Sequence, residues 1–505
     1  MRTLLAAVLS LVSVVVFAQP SLVLVNGNVF TNDPSKPSAQ AIAITGSQIT
    51  AVGTNEQIKA LVTDASKTRV IDVQGRMVIP GINDAHVHPS SGMTAFGLGT
   101  DSDPSWDNVA AALASAADET HADLWITGEL GPTLIADKTL TREKLDKVAP
   151  GRKVLLRAFT GHGLVMSSAA MKALGVAEDA KDPAGGWFDR DASGKLTGRA
   201  NEYAQWPLER RFADLATDEE LHGAIQSLSG EAVRYGITSV QVMPMMTESR
   251  FATTLAKAGV PLRVRLINIP FDAATMPSKG PVKWILDGTP LERNAALREG
   301  RYPDNTAGRE NFTDITPFLQ AAERNKQQVL LHAVGDKTIA TAVNALSARS
   351  LERPRLEHAD GLQRDLFRQT RAVGAIAVLN PSHFMARPFF PANGQYQLAA
   401  TLVKNDIPIA IGSDGPMNPF LNMMWAVERR DQPAEALSRQ QALRAYTSGS
   451  AFAEFAETSK GKIAPGMLAD IAVLSQNIFE VPAAALPATQ SVLTIIDGKV
   501  VWEQP

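Results

Sequence analysis

The sequence predicts an α/β fold: a (β/α)8 TIM barrel with a flanking β-sandwich built from both chain ends and an insertion after the first barrel strand. Three observations predict it. Strand-like and helix-like segments alternate through the middle of the chain, as parallel α/β folds require. Short strand–turn–strand stretches crowd residues 19–78 and 456–505. The stretch at about 95–215 interrupts the alternation and is too long for one β/α unit.

The elements follow in order. Met1-Arg2 gives a positive start, and an apolar run then extends to Ala18. The run is shorter than the ~20 residues a spanning helix needs. It reads as a signal peptide, residues 1–18, cleaved after Ala18. That directs the chain to the periplasm or outside the cell and leaves no membrane segment after cleavage. In residues 19–78, Asn26-Gly27 predicts a hairpin. A second strand–turn–strand unit spans 41–53, and residues 68–78 follow as a strand. Residues 456–505 repeat this texture, with a hairpin at Asp497-Gly498. Neither end is large enough for a core of its own, so the two are expected to share one sandwich.

Residues 79–455 are the barrel. Its expected strands are 78–88, 237–243, 262–268, 282–287, 328–332, 354–358, 375–380 and 408–412. Helix starts are marked between them. Thr217-Asp218-Glu219-Glu220 is a capping-box pattern, Thr316-Pro317 places proline in a first turn, and Ser438-Arg439-Gln440-Gln441 opens a last helix. The insertion has its own helices at 106–117 and 141–148, a strand at 154–159, the tripeptide Gly161-His162-Gly163 and a loop at 183–187.

Composition narrows the function. The chain of 505 residues is 45% hydrophobic and 20% charged, with a net charge of −3. No basic footprint points to nucleic acid or an anionic membrane, so the expected partner is a small-molecule substrate; a homodimer is left open. Cysteine is absent. Disulfides, cysteine–zinc sites, iron–sulfur clusters and thiol nucleophiles are thereby excluded, and any metal must be held by histidine, carboxylate or something less usual.

The histidines supply the chemistry. His86 and His88, two apart on a strand, point to one side and form half of a transition-metal site. Alone, such a pair is more often surface decoration. His332 and His358, however, end later strands, and Asp414 ends the eighth. The C-terminal rim of the barrel is where the active sites of such folds lie. His383 follows the seventh strand. Lys283 lies in a mostly apolar strand, and a buried lysine is costly unless paired or neutral. It is read as an ion pair with Asp287 or Asp414, as a substrate-binding cation, or as a carbamate formed with CO2 that bridges two cations. His121 and His222 fall outside the pattern.

These pieces resemble the amidohydrolase superfamily, and within it the family 3 branch that includes N-substituted formamide deformylase-like proteins. The resemblance is carried by Pro80-Gly81, Asp84-Ala85-His86-Val87-His88, Gly161-His162, Lys283, Asp287-Gly288, His332-Ala333-Val334-Gly335-Asp336, Arg355-Leu356-Glu357-His358-Ala359, Pro381-Ser382-His383, Gly412-Ser413-Asp414-Gly415-Pro416 and the segment from Gly461 to Asp470. It implies two divalent metal ions, with zinc the default. His86, His88 and Asp414 would hold one, His332 and His358 the other, and carboxylated Lys283 would bridge. It implies hydrolysis of a C–N bond (amide, N-formyl or N-acyl amine) by a metal-activated hydroxide. Asp414 would carry the proton, and His162 and His383 would be catalytic and substrate-binding partners of the carbonyl oxygen. Glu202 matches a family glutamate. Ser167, the stretch Gly128–Gly131 and Asn380 depart from the family pattern at substrate-facing positions. The alternatives are a mononuclear deaminase or cyclic-amide hydrolase, and a non-catalytic ligand-binding homologue.

Overall fold

The structure, a computed structural model, describes residues 19–99, 102–391 and 395–504. The expected signal peptide, residues 1–18, lies outside the described residues. No helix among the described residues is long and apolar enough to cross a membrane.

Eight parallel strands organise the middle of the chain: β1 (Ile82–Val87), β2 (Ile237–Val242), β3 (Arg263–Leu266), β4 (Val282–Ile285), β5 (Val329–Ala333), β6 (Arg355–His358), β7 (Ile376–Leu379) and β8 (Ile409–Ile411). They pair in the orders β3-β2-β1 and β4-β5-β6-β7-β8. The two groups approach each other at both edges. Beyond β3, Asn268 bridges in parallel to Val282 of β4. Beyond β8, the Asp414 N–H donates to the His86 carbonyl at 2.9 Å. This is an α/β fold of TIM-barrel type. β1, β2, β4, β5, β6 and β7 are buried along their whole length, the pattern of parallel strands covered on both faces.

The helices begin where their caps place them. The Thr217 hydroxyl accepts from Glu220 N–H, and the Glu220 carboxylate accepts from Thr217 N–H, which starts the helix Asp218–Arg234. Pro317 lies in the first turn of Thr316–Arg324, and Ser438 caps Arg439–Arg444 with the same reciprocal pair.

Two sheets built from both chain ends flank these strands. One comprises Leu22–Val25, Ala41–Thr45, Gln48–Gly53 and Arg69–Asp72; the other joins Asn28–Phe30, Ser38–Ala39 and Met77–Pro80 to Ile471–Leu474, Ser491–Ile496 and Lys499–Glu503. Leu24, Ile42 and Ile44 of the first and Val78, Val473 and Ile495 of the second belong to one apolar cluster.

Two local expectations change. Asn26-Gly27 is not a hairpin turn. Leu22–Val25 pairs with Ala41–Thr45 and Arg69–Asp72, whereas Asn28–Phe30 pairs with Met77–Pro80 in the other sheet. The turn, with Asn26 at φ 58, hands the chain from sheet to sheet, because each strand finds a better apolar partner elsewhere. Residues 78–88 are not one strand either. Met77–Pro80 belongs to the terminal sheet and Ile82–Val87 to the central set. Gly81 separates them, and a Cβ there would lie 2.2 Å from the Thr238 hydroxyl.

Between β1 and β2 the chain builds a six-stranded sheet, from Ala95–Gly97 to Leu196–Glu202. Helices that include Trp106–Glu119 and Arg142–Val148 cover it. It packs through its own apolar clusters. The stretch 183–187, expected as a loop, runs into the strand Gly186–Arg190.

Candidate metal centre

Asp414 stands just past β8 with φ 42, and His358 ends β6 with φ 70. Both residues occupy the left-handed region, which non-glycine residues enter at a cost and which recurs at functional sites. The Asp414 carboxylate spans the site. One oxygen, Oδ1, lies 3.6 Å from His86 Nε2 and 3.6 Å from His88 Nε2. The other, Oδ2, lies 3.7 Å from His358 Nδ1 and 3.8 Å from His383 Nε2. Two sets of converging ligand atoms result, His86–His88–Asp414 and His358–His383–Asp414. His332 ends near its neighbours, its ring 4.4 Å from that of His358 and 4.7 Å from that of His162. The set of three around the second Asp414 oxygen therefore takes His383, where His332 was expected with His358.

The first pair of imidazoles is oriented from behind. Glu357 Oε2 lies 2.6 Å from His86 Nδ1, and the Met243 carbonyl lies 3.1 Å from His88 Nδ1. Each contact takes an N–H, so that each Nε2 presents its lone pair. Those two Nε2 atoms face each other at 3.2 Å. His332 Nε2 and His358 Nδ1 are buried with no hydrogen-bond partner among the described residues. Opposed lone pairs and orphaned buried nitrogens are unfavourable by themselves. A cation satisfies them, so the donor set fits divalent metal. Burial holds His86, His88, His332 and His358 below the ordinary histidine value, which keeps them as neutral ligands. Burial opposes ionisation of Asp414, but His86, His88, His383 and His358 keep its carboxyl well below the usual range.

Lys283 is buried on β4, its Nζ 3.0 Å from His86 Nε2 and 3.3 Å from His88 Nε2. The expected ion pair with Asp287 or Asp414 is not formed: among the described residues no carboxylate lies within ion-pairing distance of its Nζ. Asp287 instead accepts from the N–H groups of Ala296, Val334 and Gly335, and burial pushes its carboxyl up to about 7. Burial also lowers the Lys283 ammonium, which favours the neutral amine.

His162 comes from the inserted sheet and reaches the flank of the centre. Its Nδ1 lies 3.0 Å from Glu202 Oε1, and Asn311 donates to the other oxygen at 2.9 Å. Burial opposes its protonation, but Glu202, with Glu292 and Asp287 beyond, holds it above its ordinary value. Exposed His121 pairs with Asp123, away from the centre.

Sequence reasoning gave no role to Glu357 and Arg355. The Arg355 guanidinium grips Glu357 at 2.7 and 3.0 Å and also donates to Gln241 and to the Ala85 carbonyl, all in the interior. The signal was present. Opposite charges two apart in a four-residue strand share a face, and a charge pair in an otherwise buried strand requires a partner. Asp84, also given no role, accepts from Ser413 N–H at 2.8 Å and so ties the chain before His86 to the chain before Asp414.

Comparison with known proteins gives a consistent result. A profile described as "Amidohydrolase family" matches residues 69–502. YtcJ of Bacillus subtilis (strain 168) is 27% identical over 530 residues, covering 95% of this chain and 98% of that protein. The N-substituted formamide deformylase of Arthrobacter pascens is 24% identical over 535 residues, covering 96% and 98%. Among solved structures, an uncharacterized metal-dependent hydrolase from Pyrococcus furiosus superposes with a TM-score of 0.70 at 22% identity, covering 91% of this chain and all of that one.

Proposed function

Because the chain belongs to the amidohydrolase family, whose members are metal-dependent hydrolases, we propose that it hydrolyses a C–N bond of an amide, N-formyl or N-acyl amine, using two divalent metal ions held at the rim of β1, β4, β5, β6 and β8. One observation carries this reading: a single carboxylate, Asp414, reaches two separate histidine groups with its two oxygens. A second, deaminase-type reading with one ion would leave His332 Nε2 or His358 Nδ1 without a partner.

His86, His88, His332, His358, His383 and Asp414 would hold the ions, zinc by default for nitrogen–oxygen ligands. Bound there, divalent cations polarise a carbonyl and acidify water. Neutral Lys283, buried and without a carboxylate partner, would add CO2 and lose a proton to become a carbamate whose oxygens join the ligand set. Ionised Asp414 would accept a proton from the attacking water and return it to the departing nitrogen, general base and then general acid. Protonated His162, with its Nδ1–H committed to Glu202, would donate from Nε2 to the carbonyl oxygen. His383 would sit opposite, its Nε2 within 3.2 Å of the Asp414 carbonyl. We further take the eight strands as a closed barrel spanning 79–455, the terminal sheets as one sandwich, and residues 1–18 as an export signal, a reading supported by their charge and apolar run.

Elemental analysis with intact mass tests the centre. About two metals per chain and a mass gain on Lys283 matching CO2 are expected, and one metal with a free amine would overturn the binuclear version. Asp414→Asn should lower kcat on N-formyl or N-acyl amines by ~10²–10⁴-fold, the range for general acid–base groups. A variant that keeps full turnover would remove Asp414 from proton transfer.

A further inference from the structure

A cavity of about 70 Å³ opens beside His162, between the inserted sheet and the loops that follow β4. Its lining mixes apolar side chains, Leu130, Ile135, Leu164 and Leu291 among them, with charged and polar ones. Most charged groups on its lining are already paired. Arg293 meets Asp304 at 3.0 Å. Arg199 and Lys138 both approach Asp189, at 3.4 and 3.5 Å, and Arg199 also donates to the carbonyls of Ile135 and Asp137.

Glu292 is the exception. Its two oxygens accept from the hydroxyls of Thr160 and Thr289, and among the described residues no cation lies within ion-pairing distance of it. His162, whose charge reaches Glu292, is ion-paired with Glu202. Each carboxylate oxygen offers two lone-pair sites, so each retains one after its hydroxyl contact. The two threonines fix the carboxylate in one orientation, Thr289 from its own loop and Thr160 from the segment that leads through Gly161 to His162. A carboxylate that is oriented, partly desolvated and without an ion-pair partner is suited to a cationic donor.

We propose that Glu292 recognises an ammonium group on the substrate, so that the amides cleaved here carry a free amine cation on the part of the molecule that enters this cavity. The inference rests on the amide-hydrolase reading above and names the substrate class within it. The leucine and isoleucine side chains on its wall would accept the alkyl chain between the amide and the ammonium, and the Glu292 carboxylate would receive its N–H donors. Burial already raises the carboxyl of Glu292, the electrostatic condition that a bound cation relieves.

Two measurements keep this inference separable from the reading on which it rests. In the first, n-propylammonium chloride is titrated calorimetrically into the metal-loaded wild type and into Glu292→Gln, a variant that preserves shape and can accept from one threonine hydroxyl while donating to the other. Saturable binding in the wild type and its loss in the variant are expected; equal heats in both would overturn the proposal whether or not any amide is cleaved. In the second, kcat/KM is compared for the N-formyl derivative of a short diamine and for its neutral n-alkyl isostere. The wild type should favour the cationic substrate by about tenfold or more, the scale of one charge-assisted hydrogen bond. Glu292→Gln should erase that preference through KM, and Glu292→Asp should retain part of it. A preference for the neutral isostere, or one that survives in Glu292→Gln, would overturn the proposal. Ammonium binding without cleavage of any amide would instead sustain the recognition site and overturn the amide-hydrolase reading. A metal ion retained at Glu292 in the wild type and lost in the variant would also overturn it, by showing that the carboxylate holds an inorganic cation.

Discussion

Residue scale is where the centre is tuned. Glu357 fixes which nitrogen of His86 carries the proton, and it is itself held by Arg355. Such outer contacts typically govern metal affinity by 10–100-fold. Glu357→Gln should therefore weaken metal binding by about that factor, measured by competition with a chromogenic chelator. An unchanged affinity would show that His86 needs no such anchor. The candidate ligands stand out in the sequence because strand geometry is local. His86 and His88 obey the two-residue period, and His332, His358, Lys283 and Asp414 sit at or near the ends of apolar runs. The partners were not readable in the same way. Glu202 reaches His162 from the inserted sheet, 40 residues along the chain, and Asp287 turns its carboxylate to backbone N–H groups instead of to Lys283. Those choices are made by tertiary packing.

At the scale of the element, the seam between β1 and β8 is the most exacting. A Cβ on Gly412 would lie 2.4 Å from the Cβ and backbone nitrogen of His86. Gly412→Ala should push the two strands apart, costing about 1–3 kcal/mol as overpacking does, visible as an earlier denaturant midpoint and a lower metal content. The same midpoint with full metal would show that the seam can relax. The helix Asp218–Arg234 offers a pH test. Hydrogen bonds from the Thr94 hydroxyl and from Thr217 N–H lower the Glu220 carboxyl to about 2 from its usual 4.5. A carboxyl lowered in the folded state stabilises fully above 4.5, and that contribution fades as the pH falls towards 2. Glu220→Gln should thus cost about 1 kcal/mol, the worth of a cap, at neutral pH and much less near pH 2. A pH-independent difference would assign the effect to packing. Capping boxes were legible because four consecutive residues encode them. The Asn26-Gly27 turn misled for the opposite reason: its local preference is for a hairpin, but the partner of each flanking strand lies tens of residues away.

For the whole molecule, the centre is also a fastener. Its candidate ligands come from strands of both central groups, β3-β2-β1 and β4 to β8. Ligand binding to the folded state alone adds about 2.7 kcal/mol when free ligand is 100 times Kd. Dialysis against a chelator should therefore lower the thermal midpoint, and returning the metal should restore it. A midpoint indifferent to metal would mean that the ligands are fully held by protein contacts. The two-ended architecture was anticipated from composition and turn texture, whereas the point at which the chain passes from terminal sheet to central strands was not, because Gly81 is marked by a close approach to Thr238 and by no local motif.

The pairing of Met77–Pro80 with Ile471–Leu474 has a consequence for how the protein is born. A ribosome delivers His86 and His88 early, but the strand that leads into them has an open edge until Ile471–Leu474 emerges, almost at the end of translation. Unpaired edges of that kind recruit other chains, and contacts so distant in sequence form slowly. A nascent or C-terminally clipped chain would carry all of its metal ligands yet lack the strand that anchors the first pair. Metal capture at the proposed centre would then belong to the finished polypeptide, and the last few dozen residues would decide when that centre is complete.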